Sequence, residues 1–222
     1  MKYMTAREEE ILTNQNYIQK GTVLDKLLQS LIVTKFDYND LFVGDKNALL
    51  FAARVLAYGA EYPIKMVHPE TKEEETVTID LALVDSKPLH PVFEKCEGVN
   101  SFEFELPHSK VNLTFKLLTH RDERSIEEEV NGYKKIKKEI GENLVRLERI
   151  ITAVNGDTNK AKIKDFVQNQ FLARDVREFR NYLRSLSPDI DSKVTVTFSD
   201  GHVLEGVEVP ITLNFFWPDA NF

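Results

Sequence analysis

Cysteine is nearly absent: the 222 residues contain one, Cys96, so neither an internal disulfide nor a CxxC pair is available. Tryptophan also occurs once, at position 217. The nine glycines fall into neither GxxxxGK[ST] nor GxGxxG, the spacings by which a loop ahead of a helix cradles phosphate. Gly44, Asp45 and Lys46 therefore read as a loop and a helix cap. The serine elbow GxSxG is missing as well, and Cys96 sits in a glutamate-bearing connector with no histidine nearby to act as its base, which makes it a spectator. His68, His90, His108, His120 and His202 are scattered, mostly in or beside expected turns, and no HxxxH pair occurs. These absences argue against an enzyme, a resident metal and a cofactor.

Long apolar runs are also lacking. The longest, residues 48–58, is interrupted by Arg54 and falls short of the roughly 20 residues a membrane-spanning helix needs. The chain opens without a charged segment followed by an apolar one, so the expected setting is a reducing cytoplasm, without a membrane. Positive charge is in deficit: 36 acidic against 29 basic residues leave a net charge of -7. Since each phosphate contact needs a cation, nucleic acid is not expected as a ligand. The charge is uneven, however. Residues 121–184 hold 15 Lys and Arg against 12 Asp and Glu, an excess of three positive charges, which leaves ten negative ones in excess on the remainder. A mixed-charge helix of this kind reads most simply as a solvated face.

What is present is the making of a core: 42% of residues are hydrophobic and 10% aromatic. Thr5 with Glu8 three residues on forms a capping-box pattern for a short helix running to about Leu12. Thr22 with Asp25 repeats it ahead of the stripe Val23, Leu24, Leu27, Leu28 and Leu31. Asp45 is placed to cap a third helix that ends before Gly59 and shows Leu49, Ala52, Ala53 and Leu56 on one face. Beyond Gly59 the period becomes two. Tyr62 to Val67 opposes Val77, Ile79 and Leu81 in a hairpin with its tip at residues 68–74. A second hairpin, expected in the same sheet, pairs Phe102, Phe104 and Leu106 with Val111, Leu113, Phe115 and Leu117. Between the hairpins, residues 83–100 contain Pro88 and Pro91 and should be irregular.

From Ile126 the apolar positions Val130, Tyr133, Ile136, Ile140, Leu144, Leu147, Ile151 and Val154 recur every three or four residues, a heptad-like seam on a long helix. Gly132 and Gly141 are places where that helix would break. Ile163, Phe166, Val167 and Phe171 predict another helix, and Val176, Phe179, Tyr182, Leu183 and Leu186 one that ends before Pro188. A last hairpin turns at Ser199, Asp200 and Gly201 between Val194, Val196, Phe198 and Val203 to Val209. The expected fold is α+β: N-terminal helices with a small antiparallel sheet, then a helical hairpin or bundle and a C-terminal β-hairpin. Its division falls near residues 119–125. Residues 1–120 hold the first helices and two hairpins, and residues 121–222 the long helices, closing hairpin and aromatic end, the two able to pack as one unit.

Four strings, MTAREEEILTNQNYIQKGTVLDKLL, VGDKNALLFAARVLAYGAEY, LARDVREFRNYLRSLSPDID and FFWPDANF, taken in this order, resemble the baseplate hub subunit family of T-even-like contractile phages. The resemblance runs from end to end. It implies a structural or assembly protein of the central hub, retained in the virion or acting as a transient chaperone in the host cytoplasm. The implied partners are other hub proteins, with self-association a further contact. It also implies CPxC-type knuckles where this chain has Val67, His68, Pro69, Glu70, Thr71 and Lys72, and comparable cysteines near residues 198–202. Both sets are missing, so the expectation is of bare hairpins held by cross-strand pairs, with no metal. Within the matched strings, Arg7, Arg54, Tyr58, Asp175 and Arg180 are the polar candidates for partner contact, against the plainer reading of internal pairs and caps. Phe215, Phe216 and Trp217 are either core plugs or docking anchors. The rival classes are a tail-associated hydrolase working through paired carboxylates, and a nucleic-acid module using the basic residues of 121–184.

Overall fold

The computed structural model of the chain describes residues 1–95, 98–136 and 141–216. The order begins with helices α1 (Ala6–Thr13), α2 (Gln15–Gln19), α3 (Val23–Leu31) and α4 (Val43–Tyr58), then strands β1 (Glu61–Val67), β2 (Glu74–Asp80), β3 (Phe102–Glu105) and β4 (Asn112–Phe115). It continues through α5 (His120–Lys135), α6 (Glu142–Ile150), β5 (Ile151–Val154), α7 (Lys160–Asp165) and α8 (Ala173–Leu186), and closes with β6 (Lys193–Thr197), β7 (Val203–Glu208) and α9 (Leu213–Phe216). This is the α+β class expected, with N-terminal helices, small antiparallel sheets and a C-terminal hairpin. Two compact units form: one from Met1–Asp37, Gly44–Lys87 and the chain from Asp189 onward, the other from Tyr38–Val43 and Pro88–Pro188.

In the first unit the capping box is present. The Glu8 carboxylate accepts from the Thr5 amide at 2.9 Å and from its hydroxyl at 2.6 Å. Asn14 ends α1 and caps α2, its side chain accepting from the Asn16 and Tyr17 amides. The stripe of α3 faces inward as its spacing requires, with Val23, Leu27, Leu28 and Leu31 buried, although the Thr22 side chain makes no capping bond. Helix α4 starts at Val43, so Asp45 lies inside its first turn and does not precede it. Its buried face is also rotated from the one expected: Leu50, Phe51, Ala53 and Arg54 turn inward while Leu56 is exposed. The reason is Arg54, whose stem and guanidinium go inside on the faces of two tyrosines. That draws Phe51 one turn earlier onto Phe215, the ring centroids 4.9 Å apart.

Strands β1 and β2 pair with Tyr62 opposite Ile79 and Ile64 opposite Val77, which turns Tyr62, Val77 and Ile79 into the core. Strands β6 and β7 pair separately, with an irregularity between Val194 and Val196. The backbone at Lys87 and Asp85 is stitched to residues 189–191 by the Lys87 amide donating to Asp189 and the Asp191 amide to Asp85, each at 2.8 Å. The chain therefore leaves this unit and re-enters it at neighbouring points, the arrangement by which an insertion is tolerated.

The second unit is built on a three-stranded antiparallel sheet in the order β3-β4-β5. Its hairpin has Phe102 opposite Phe115 and Phe104 opposite Leu113. The two early hairpins thus belong to different sheets, against expectation. The edge of β4 that would have met the first hairpin is taken by β5, with Leu113 opposite Val154. This also corrects the long helix. Its last stretch, Ile151–Val154, is a strand, because the β-branched Ile150, Ile151, Thr152 and Val154 suit a pleat and β4 offers an open edge. The heptad seam is divided accordingly: α5 ends at Lys135, Gly141 starts α6, Ile136 is exposed, and Ile140 lies outside the described residues. Ile126, Val130 and Val145 pack together between α5 and α6. The bidentate Arg146–Glu123 pair, both bonds 2.7 Å, fastens the two helices.

Helix α8 lays Phe179 and Tyr182 on the sheet. Tyr182 stacks on Phe104 at 4.6 Å, and Phe179 meets Phe115 edge-on at 5.1 Å. After α7 the backbone widens through Phe166–Gln170 and stacks Phe166 on Phe171 at 5.1 Å. The Tyr38–Val43 segment belongs here because the His120 amide donates to Leu41 at 2.8 Å and Tyr38 meets the His120 ring edge-on.

Candidate functional site

The tips of the β1–β2 and β6–β7 hairpins, 134 residues apart between His68 and His202, converge. His68 is 3% exposed, contrary to the expectation of a turn histidine in water. Its Nδ1 accepts from the backbone amides of Glu70 at 3.3 Å and Thr71 at 3.2 Å, so in the neutral ring the proton sits on Nε2. Nε2 lies 3.3 Å from an Asp200 carboxylate oxygen, and the ring meets Phe198 and His202 edge-on at 4.6 and 5.1 Å. The Ser199 amide donates to Glu75 at 2.8 Å. The two tips are therefore joined by the Ser199–Glu75 bond and by ring contacts, while His68 Nε2 itself makes no hydrogen bond among the described residues. The Nδ1 lone pair is already taken by the turn, which leaves His68 a poor metal ligand. Among the described residues no group of three or more His, Cys, Asp or Glu side chains is arranged to hold a metal ion.

The buried charges are likewise fastenings. Glu8 is sealed from solvent; burial alone would raise its carboxyl, but donors from Lys2 at 2.7 Å, Ser30 at 2.6 Å and Thr5 hold it well below the usual range. Asp175, in the first turn of α8, accepts from the His108 amide at 2.9 Å and the Ser109 amide at 3.0 Å. These bonds close the β3–β4 turn, where Lys110 holds a positive φ of 58°. They also outweigh burial and keep the Asp175 carboxyl below its ordinary value. Asp122 is treated in the same way by Lys116 and Thr119. A general acid needs a carboxyl pushed upward, and these are pushed down.

The residues singled out from sequence separate into inside and outside. Phe215 and Phe216 are fully buried, core plugs against Phe51 and Tyr62, and Trp217 lies outside the described residues. Arg54 is 3% exposed; its Nη1 donates to the Gly59 carbonyl at 3.3 Å and its guanidinium lies over the Tyr58 and Tyr62 rings. It has no carboxylate partner among the described residues, and burial lowers its affinity for the proton. Tyr58 is partly exposed, its hydroxyl pushed up by burial, while Arg7 and Arg180 are exposed. The structure brings Arg54 and Tyr58 together; Asp175 and Arg180 share α8 but point to opposite fates, one buried and one in solvent. Sequence reasoning missed the His68–Asp200 joint, for which the only local signals were the turn residues of two distant hairpins.

The T4 bacteriophage base plate protein family model matches residues 1–217. The chain belongs to this family. No curated protein and no solved structure matches it. Membership gives this baseplate protein a structural or assembly role in a phage baseplate, in company with other baseplate proteins, and places it with the virion tail. No helix among its described residues is long and apolar enough to cross a membrane.

The Lys2 amide donates to the Leu31 carbonyl at 2.9 Å, which lays the first residues along the end of α3. Tyr3 is 71% exposed there, and Val33 and Phe36, just past that helix end, are 66% and 46% exposed.

Proposed function

We propose that this baseplate protein is a component of the central hub and works by docking onto other hub proteins through complementary apolar and charged surface, without catalysis and without a cofactor. The observation that carries the reading is the exposed trio Tyr3, Val33 and Phe36 in a chain of the baseplate family. Aromatic anchors such as Tyr3 and Phe36 can supply much of the binding free energy when a partner removes them from water. Arg7 and Tyr58 belong to the same compact unit and are proposed as polar contacts at its surface.

The direct test is size exclusion with light scattering of the purified chain, alone and mixed with each candidate hub protein. A complex that Tyr3→Ala with Phe36→Ala weakens by about tenfold or more supports the reading. A strict monomer that binds no baseplate component overturns it. Mass spectrometry of purified particles then distinguishes a retained subunit from an assembly chaperone that leaves before the tail is complete.

A further inference from the structure

Helix α8 has arginines at 177, 180 and 184. Spacings of three and four residues bring these side chains within about 60° of one another around the helix and spread them over about 10 Å of its axis. All three are exposed, and none has an ion-pair or hydrogen-bond partner among the described residues. Several cations elsewhere in the same unit are paired instead, although Arg124, Lys160 and Arg174 likewise have no partner among the described residues. Arg146 is paired with Glu123 at 2.7 Å, Arg149 with Glu129 at 3.3 Å and Lys116 with Asp122 at 2.7 Å. The acids that α8 itself offers do not serve: Asp175 is buried and taken up by the β3–β4 turn, and Glu178 makes no pair among the described residues.

The three arginines line a cleft of about 520 Å³. The other side of that cleft is mostly apolar, with Gln168 its polar exception. Leu147 and Val167 form its buried floor, Phe171 and Val176 are half-buried in it, and Leu144 stands exposed at the rim. An apolar trough beside a row of uncommitted cations two helical turns long is half of an amphipathic helix contact. The missing half needs leucine-like side chains on one face and carboxylates along its edge at the same three- and four-residue intervals.

We propose that this cleft binds an acidic amphipathic helix of another baseplate protein. The inference rests on the docking reading above and assigns it a second surface with its own chemistry. Charge complementarity selects the occupant. The arginines demand anions, and the floor demands apolar side chains, which a phosphate backbone does not supply.

The probe is a labelled helix-forming peptide of about five turns, with leucine at every third or fourth position and flanking glutamates, titrated into the full chain by fluorescence anisotropy. A second peptide has glutamine in place of every glutamate. The glutamate peptide binds wild type; R177E/R180E/R184E weakens it by about tenfold or more, and replacing its glutamates does the same. Leu144→Asn, at an exposed rim position that leaves folding intact, weakens binding about threefold while sparing the charge. The cleft proposal is overturned by glutamate-peptide binding that is absent at millimolar concentration, unchanged in the triple variant or equalled by the glutamine peptide. It is also overturned if the triple variant instead abolishes duplex DNA binding or dissolves a dimer of the chain. The same variant separates this proposal from the reading beneath it. If it still binds recombinant baseplate components as wild type does, the cleft is wrong and the docking reading stands; if wild type binds none, the docking reading itself falls.

Discussion

Replacing Asp175 tests whether a buried carboxylate at the head of α8 holds the second unit's hairpin in place. Two backbone amides, His108 at 2.9 Å and Ser109 at 3.0 Å, donate to it in a site with no solvent exposure. Hydrogen bonds to a charged group contribute about 1.5–3 kcal/mol each, and an unsatisfied buried amide costs a further fraction of that. Asp175→Ala leaves both amides without an acceptor and is expected to cost about 3–5 kcal/mol. Asp175→Asn keeps one carbonyl oxygen but turns an NH2 toward the other amide, at about 1.5–3 kcal/mol.

The pH dependence follows from the same bonds. Burial would push this carboxyl up, and the amides of His108 and Ser109 prevail and hold it below its ordinary value. The unfolded chain therefore takes up the proton more readily than the folded one. The carboxylate's contribution is complete above about pH 5 and is lost as the pH falls through the unfolded and then the folded pKa. Urea unfolding followed by circular dichroism, with amide exchange at residues 108 and 109 identifying the relevant transition, reads both effects. The gap between wild type and Asp175→Asn stays level near neutrality and narrows in acid. An alanine variant within about 0.5 kcal/mol of wild type, or a gap that widens as the pH drops, refutes the reasoning.

Glu8→Gln removes the charge that Lys2, Ser30 and Thr5 share; thermal melts near neutral pH should show a loss of about 2 kcal/mol that shrinks in acid, and an unchanged melt contradicts the account. Gly156 and Gly132 should respond with opposite signs to alanine. Gly156 follows Asn155 in a left-handed turn at φ 79° with open space around it, so Gly156→Ala costs about 1–2 kcal/mol through backbone strain alone, whereas Gly132 lies inside α5 with nothing near a new methyl and Gly132→Ala gains about 1 kcal/mol. His68→Ala strands two turn amides and loses the Phe198 contact, an expected cost of about 2–3 kcal/mol by chemical denaturation, while EDTA should leave the wild-type curve where it is.

Much of this fold is legible where one period dominates a segment. The stripe of α3, the capping box at Thr5 and Glu8, and the strict alternation of Phe102, Phe104, Leu113 and Phe115 each encode a local structure that the packing then keeps. Legibility fails where two readings share residues. Ile151 continues a three-and-four spacing toward Val154 and equally begins an alternation with Ala153, and only the open edge of β4, invisible in the sequence, decides for the strand. Arg54 fails for a different reason: a periodicity argument counts it as polar and turns it outward, but its stem lies along the tyrosines and rotates the helix face with it. The joint between His68 and Asp200 depends on two hairpins meeting, which no local pattern contains. Nor can spacing alone say that Phe215 and Phe216 point inward, since a terminal aromatic pair serves a core or an interface with equal chemistry.

The direction of the perturbed acids bears on what kind of protein this is. Glu8, Asp122, Asp157, Asp175 and Asp200 all titrate below their ordinary range. Catalytic pairs show environments that push two groups apart. In these five the environment pushes the same way, because each carboxylate is met by donors that fix a turn, a cap or a helix to a neighbouring segment. Glu8 ties α1 to α3 through Ser30, and Asp175 ties α8 to the β3–β4 turn. Charge used in this manner is committed to holding the fold. What remains uncommitted is on the outside, the Tyr3, Val33 and Phe36 edge of one unit and the α8 arginines of the other. Under the proposed docking reading their chemistry is that of contact, apolar area to be covered and cations to be neutralised.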